Sequence, residues 1–242
     1  PPLESRVGKR TGRYPAARLV VLLLVWGFWA LDIVDGLQTQ GAIRGTPILG
    51  ALPGWREFND ALLALGNKAH LTLPSISTDA WAALASNLIL RVLVPSAALR
   101  ALGMQWRDMG LTLRRWWIAA PFVGIGLGVY LTSGLAFDRL LRMGVVLLYP
   151  GLTEELFYRG WLQRSLKRYV RRGNAVLITA VLFGLLHLPE FLAVHYTGML
   201  PLALTNIGDV ILTGLVWGYG MTRTRSVLPW AAVHAASNLA GL

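Results

Sequence analysis

Cysteine is absent from all 242 residues. That rules out disulfides, thiolate metal sites and a cysteine nucleophile, and it is silent on compartment. Charge is scarce as well, at 14% of the chain against roughly 25% in soluble proteins. Only 12 residues are acidic and only 4 are histidine, so any acid–base chemistry draws on a short roster. The sequence also lacks an internal repeat, a low-complexity tract, an HExxH zinc signature and any nucleic-acid motif. Without such a motif the net charge of +11 is not a reason to invoke DNA or RNA.

What is present is apolar bulk. Hydrophobic residues make up 55% of the chain, and there are 10 Trp, a residue that collects at membrane–water boundaries. The Lys and Arg lie between apolar runs, where they suit anionic lipid headgroups. These features describe an all-α, polytopic transmembrane helical bundle. A span needs about 20 mostly apolar residues. Seven segments qualify, at about 17–37, 81–99, 116–137, 143–163, 174–190, 206–222 and 227–242, with six to eight as the acceptable range. Residues 17–31 follow a basic start and resemble a signal peptide. Asp32 and Asp35 stand where a small-residue cleavage site belongs, so a retained first span is expected, with both Asp interfacial.

The layout divides the chain into a basic tail (1–16), N-terminal spans (17–142) with an extramembrane loop (38–80), and a C-terminal core (143–242). Within the loop, Trp55, Phe58, Leu62 and Leu65 fall on one face of a helix that could lie in the interface. Residues 191–204 read as a re-entrant piece or an extension of a span. With the N-terminus inside, 16 of the 23 Lys and Arg fall on the inner side and 5 on the outer, as the positive-inside rule requires. The expected home is the plasma (inner) membrane. Arg91 and Arg159 lie within spans.

Charged side chains inside a span cost about 2.5–3.5 kcal/mol each at the centre and usually mark function. The segment YPGLTEELFYRGWLQR holds three of them, Glu154, Glu155 and Arg159. Glu155 and Arg159 are four apart and share a helix face, so they can pair. Glu154 is turned by about 100° from its neighbour, which predicts that it points elsewhere, into a cavity. Desolvation makes such a carboxylate a stronger base. Downstream, Phe183 and His187 are four apart, and so are His234 and Asn238. At about 1.5 Å per residue, Glu154, His187 and His234 lie roughly 13, 20 and 10 Å deep, near enough to meet close to the midplane.

The three motifs, EELFYR as EExxxR, FGLLH as FxxxH and HAASN as HxxxN, occur in order on three late spans. In this they resemble the CPBP family (CAAX proteases and bacteriocin-processing enzymes, also called ABI), over roughly residues 143–242. The resemblance implies an intramembrane endopeptidase. In it Glu154 activates a water that His187 also holds, and His234 and Asn238 donate to the oxyanion. Glu155 and Arg159 brace the site, with Phe183 in support. It implies a peptide or protein substrate, either lipidated or a leader peptide, and no cofactor. Three other readings stand beside it. Glu154, His187 and His234 could instead form a His₂Glu zinc site. TSGL around Ser133 faintly resembles an intramembrane serine motif, although packing is the expected role of that residue. The chain could also be a non-catalytic immunity or scaffold protein, or a transporter, although no repeated halves support the last. Arg91 and Asp209 are expected to pair, and His70 and His195 to lie at the surface.

Overall fold

The structure is a computed structural model and describes residues 15–39, 42, 49–72, 77–105, 108, 110–112, 115–132 and 143–240. The basic tail up to residue 14 and Ser133 lie outside the described residues. All regular structure within them is helical. In chain order the longer elements are α1 (Pro15–Thr39), α2 (Trp55–Thr72), α3 (78–101), α4 (Ala120–Leu131), α5 (143–166), α6 (Arg172–Glu190), α7 (Leu200–Thr224) and α8 (Leu228–Ala240). Four stretches are long and apolar enough to cross a membrane: Ala16–Asp35, Leu84–Ala101, Arg172–His195 and Leu200–Thr224.

Polarity is inverted relative to a water-soluble bundle. On α1, Leu24 is 68% exposed while Arg18 and Asp35 are buried. Leu177 and Leu185 on α6, and Leu212 and Val216 on α7, are likewise exposed. Such a surface is stable against acyl chains, where apolar side chains lose nothing by facing out and polar ones must find partners inside.

At the centre sits α5, with every residue from Thr153 to Gln163 buried. This element is not a regular helix. The residue before a proline is driven to extended backbone, and Tyr149, before Pro150, has φ −139° and ψ 124°. A π-helical stretch, Leu156–Leu162, follows the two glutamates, and the Gln163 N–H donates to the Tyr158 carbonyl five residues back. Single wide turns of this kind cluster at functional sites.

Glycines let neighbouring helices close on α5. A Cβ at Gly151 would stand 2.8 Å from the Ala231 carbonyl of α8. One at Gly214 on α7 would stand 3.3 Å from Ala180 on α6 and from the Arg159 guanidinium. From the other side, the Trp26 indole of α1 donates to the Leu182 carbonyl at 3.2 Å, and Trp29 packs on Phe157 at 4.4 Å.

Several expectations change here. Asp35 is buried and accepts a hydrogen bond from the Leu49 N–H, so it is a structural acceptor and not an interfacial charge. Arg91 pairs with Asp32 at 3.8 Å and lies over Trp29 at 4.5 Å, whereas Asp209 is exposed, so the expected Arg91–Asp209 pair does not form. Of the two readings of residues 191–204, the extension of a span is the one that forms. A π-helical turn, Phe191–His195, extends α6, and α7 already starts at Leu200, after a reversal at Gly198 with φ +77°, where a Cβ would be strained. His195 therefore ends a helix; it is exposed, as expected, and lies 3.2 Å from Glu190. In α2, Leu62 is buried but Leu65 is 52% exposed, because the helix turns a narrower face inward, with Trp55 against Phe28 of α1 at 5.7 Å.

Several of the cations assigned to the inner side close backbone carbonyls. Arg18 donates to Leu102, Arg164 to Asp108 and Arg225, Arg172 to Thr222, and Arg115 to Arg223. Lys167 sits among them. Burial pushes its ammonium down to about 8, and Arg172, Arg164 and Arg225 push the same way.

Candidate active site

The pairing of Glu155 with Arg159 forms as the spacing predicts. Their atoms are 3.0 Å apart, and both side chains are inaccessible, at 0% and 1% exposure. Arg159 also donates to the Gly214 carbonyl at 3.3 Å, a contact open only because residue 214 has no side chain. Its guanidinium lies over the Phe183 ring at 4.6 Å, with Tyr158 and Trp217 at 5.7 and 5.8 Å. A desolvated cation over an aromatic face gains about 2 kcal/mol or more. A carboxylate, a carbonyl and three rings thus hold this charge away from lipid.

His234 does something the sequence did not suggest: it stands between both glutamates. Its Nδ1 is 3.2 Å from Glu155 Oε1, and its Nε2 is 3.8 Å from Glu154 Oε2. Glu154 and Glu155 are about 100° apart around the helix, but an imidazole carries nitrogens on opposite edges and reaches both. All three side chains are buried. An ionised carboxylate only accepts hydrogen bonds, so the His234 Nδ1 that faces Glu155 carries a proton. Nε2 is left facing Glu154. Glu154 Oε2 itself accepts no hydrogen bond from the protein.

His187 is joined to this group through Phe183. The Phe183 ring lies 4.9 Å from the His187 ring and 5.9 Å from the His234 ring, both nearly perpendicular. One turn along α6, His187 Nδ1 is 2.8 Å from the Phe183 carbonyl. A carbonyl cannot donate, so Nδ1 carries the proton and, in the neutral ring, Nε2 is an acceptor. Asn238 lies one turn beyond His234 on α8, exposed and without a hydrogen bond.

Sequence reasoning missed Trp217, which stacks on His234 at 4.5 Å with a 38° tilt and walls the site from α7. Nothing distinguishes it among 10 Trp. Gly214, also missed, had a readable signal, since Gly214 and Gly218 form a small-xxx-small pair that invites close helix approach. Among the described residues no three His, Asp or Glu side chains form a group able to hold a metal ion.

The arrangement, then, is a buried carboxylate beside an imidazole whose far side is fixed by a second, charge-paired carboxylate. Such a group can take, hold and return a proton without water from bulk. No curated protein and no solved structure matches the chain. Residues 136–240, which carry all three motifs, match the Rce1-like family model, described as Type II CAAX prenyl endopeptidase Rce1-like.

Proposed function

We propose that this integral membrane protein is an endopeptidase that hydrolyses a peptide bond within the bilayer, using a water activated by Glu154 and His187. The observation that carries this reading is the buried Glu154 Oε2, unbonded by the protein and 3.8 Å from His234 Nε2. A buried carboxylate left without a donor costs free energy, and such a cost persists where function requires the group.

The chemistry follows from the proton positions. A water donating one hydrogen to Glu154 and the other to His187 Nε2 turns a lone pair toward the scissile carbonyl. As its oxygen bonds to the carbonyl carbon, the proton passes to Glu154 and the carbonyl oxygen becomes negative. His234 acts as an imidazolium, with its Nδ1–H held by Glu155 and its Nε2–H donated to that oxyanion, and the Asn238 amide donates from one turn away. The C–N bond then breaks, and Glu154 returns its proton to the leaving amine. Glu155 and Arg159 hold the imidazole in place, and Phe183 spaces the two histidines. The substrate is a membrane-associated peptide or protein, either lipidated or a leader peptide, and the site of action is the plasma (inner) membrane.

The test compares protein termini in membranes of cells carrying wild type, Glu154→Gln or His187→Ala. Loss of a general base or of its partner lowers the rate about 10²–10⁴-fold. A defined set of cleaved termini should be abundant with wild type and absent or strongly depleted in both variants. The same termini at wild-type levels in both would refute the proposal.

A further inference from the structure

Away from the candidate active site, on the opposite face of α8, an apolar groove of about 430 Å³ runs between α4 and α8. It is lined by Trp116, Ala120, Gly124, Leu228, Pro229 and Ala232. Small residues on both helices hollow it out: a Cβ at Gly124 would meet no atom within 4 Å. At one end the groove meets three arginines. Arg115 precedes Trp116, and its guanidinium donates to the Arg223 carbonyl at 3.0 Å. Arg225 follows and leads into Leu228. All three arginines are exposed.

Two of them have an unusual backbone. Arg115 has φ 54° and Arg225 has φ 59°, the left-handed region where glycine is favoured and every residue with a Cβ is penalised. A strained residue that would serve the turn better as glycine points to a use for its side chain. An apolar slot with cations and an exposed Trp at its interfacial end has the polarity of a phospholipid with a negatively charged headgroup.

We infer that the groove binds one acyl chain of an anionic phospholipid of the surrounding bilayer, with Arg115 and Arg225 holding its phosphate. This inference does not rest on the proteolytic reading. Trp116 lines the groove and therefore reports on it. The full-length protein is reconstituted into phosphatidylcholine vesicles containing equal mole fractions of either dibrominated phosphatidylglycerol or dibrominated phosphatidylcholine. The Trp116 contribution is taken as the difference between wild type and Trp116→Phe. Bromine on an acyl chain in the groove quenches that contribution, and basic residues near the surface each favour anionic lipid by about fivefold. Quenching should be at least about threefold stronger with the brominated phosphatidylglycerol. The ratio should fall to about one in the Arg115→Gln/Arg225→Gln variant. Gly124→Leu, whose Cβ enters open space and whose side chain occupies the slot, should lose most of the quenching while keeping its thermal unfolding midpoint. A ratio of one in wild type, or a ratio unchanged in the double variant, would overturn the inference.

Discussion

At the scale of single residues, the charges in the bundle are held by reciprocal need. Arg159 is paired with Glu155, caged by Phe183, Tyr158 and Trp217, and bonded to the Gly214 carbonyl. Removing one partner of a buried ion pair leaves an uncompensated charge and costs about 3–5 kcal/mol. Glu155→Ala should therefore lower unfolding stability by that amount in detergent, and Glu155→Ala/Arg159→Leu should recover part of it, because no lone cation remains. Equal stability of Glu155→Ala and wild type would mean that the pair does not hold the site. The pair was legible in the sequence because it depends only on helix spacing. The role of His234 between both carboxylates was not, since 79 residues separate it from Glu155 and only packing brings them together.

At the scale of elements, the geometry of α5 determines where the glutamates point. An ideal helix would carry Glu154 and Glu155 on a fixed screw. Here an extended Tyr149 precedes them and a π-helical stretch follows, so this short helical turn is set independently of the regular lattice on either side. The contact of Gly151 with Ala231 and Ala235 then fixes α8, and with it His234, against that turn. Gly151→Ala places a Cβ within 2.8 Å of the Ala231 carbonyl. A rigid carbonyl cannot yield as a flexible side chain can, so α8 must shift. Proteolysis should fall by about 10-fold or more, since misplacement by an ångström costs up to about 10². Gly128→Ala, where a Cβ meets nothing within 4 Å, serves as the control and should leave activity unchanged. Equal activity in the two variants would separate the site from the α5–α8 contact. Apolar run length located these helices well. It could not show the break at Tyr149 or the wide turn, since both arise from local backbone choices that hydropathy does not record. The long α6 and α7 take up most of residues 191–204, the stretch read as a re-entrant piece or an extension of a span.

At the scale of the whole molecule, leucines face outward, while Glu154, Glu155, Arg159 and His234 are buried together. This is the arrangement expected of a protein whose outer surface meets acyl chains and whose charges are kept inside. The three ordered motifs made the family legible, because each falls on its own helix and the fold brings the helices together. Phe183 touches the rings of both His187 and His234, while Asn238, one turn beyond His234, is exposed. The central claim is that Glu154 and His234 act as one unit on a single water and carbonyl. The measurement that tests it most directly is a double-mutant cycle of peptide hydrolysis, comparing Glu154→Gln, His234→Gln and the double variant in reconstituted protein. Residues of one catalytic unit are strongly non-additive. Each single variant should lose about 10²–10⁴ in rate, and the double variant should be no slower than the worse single. Losses that multiply, or hydrolysis undiminished in Glu154→Gln, would contradict the account.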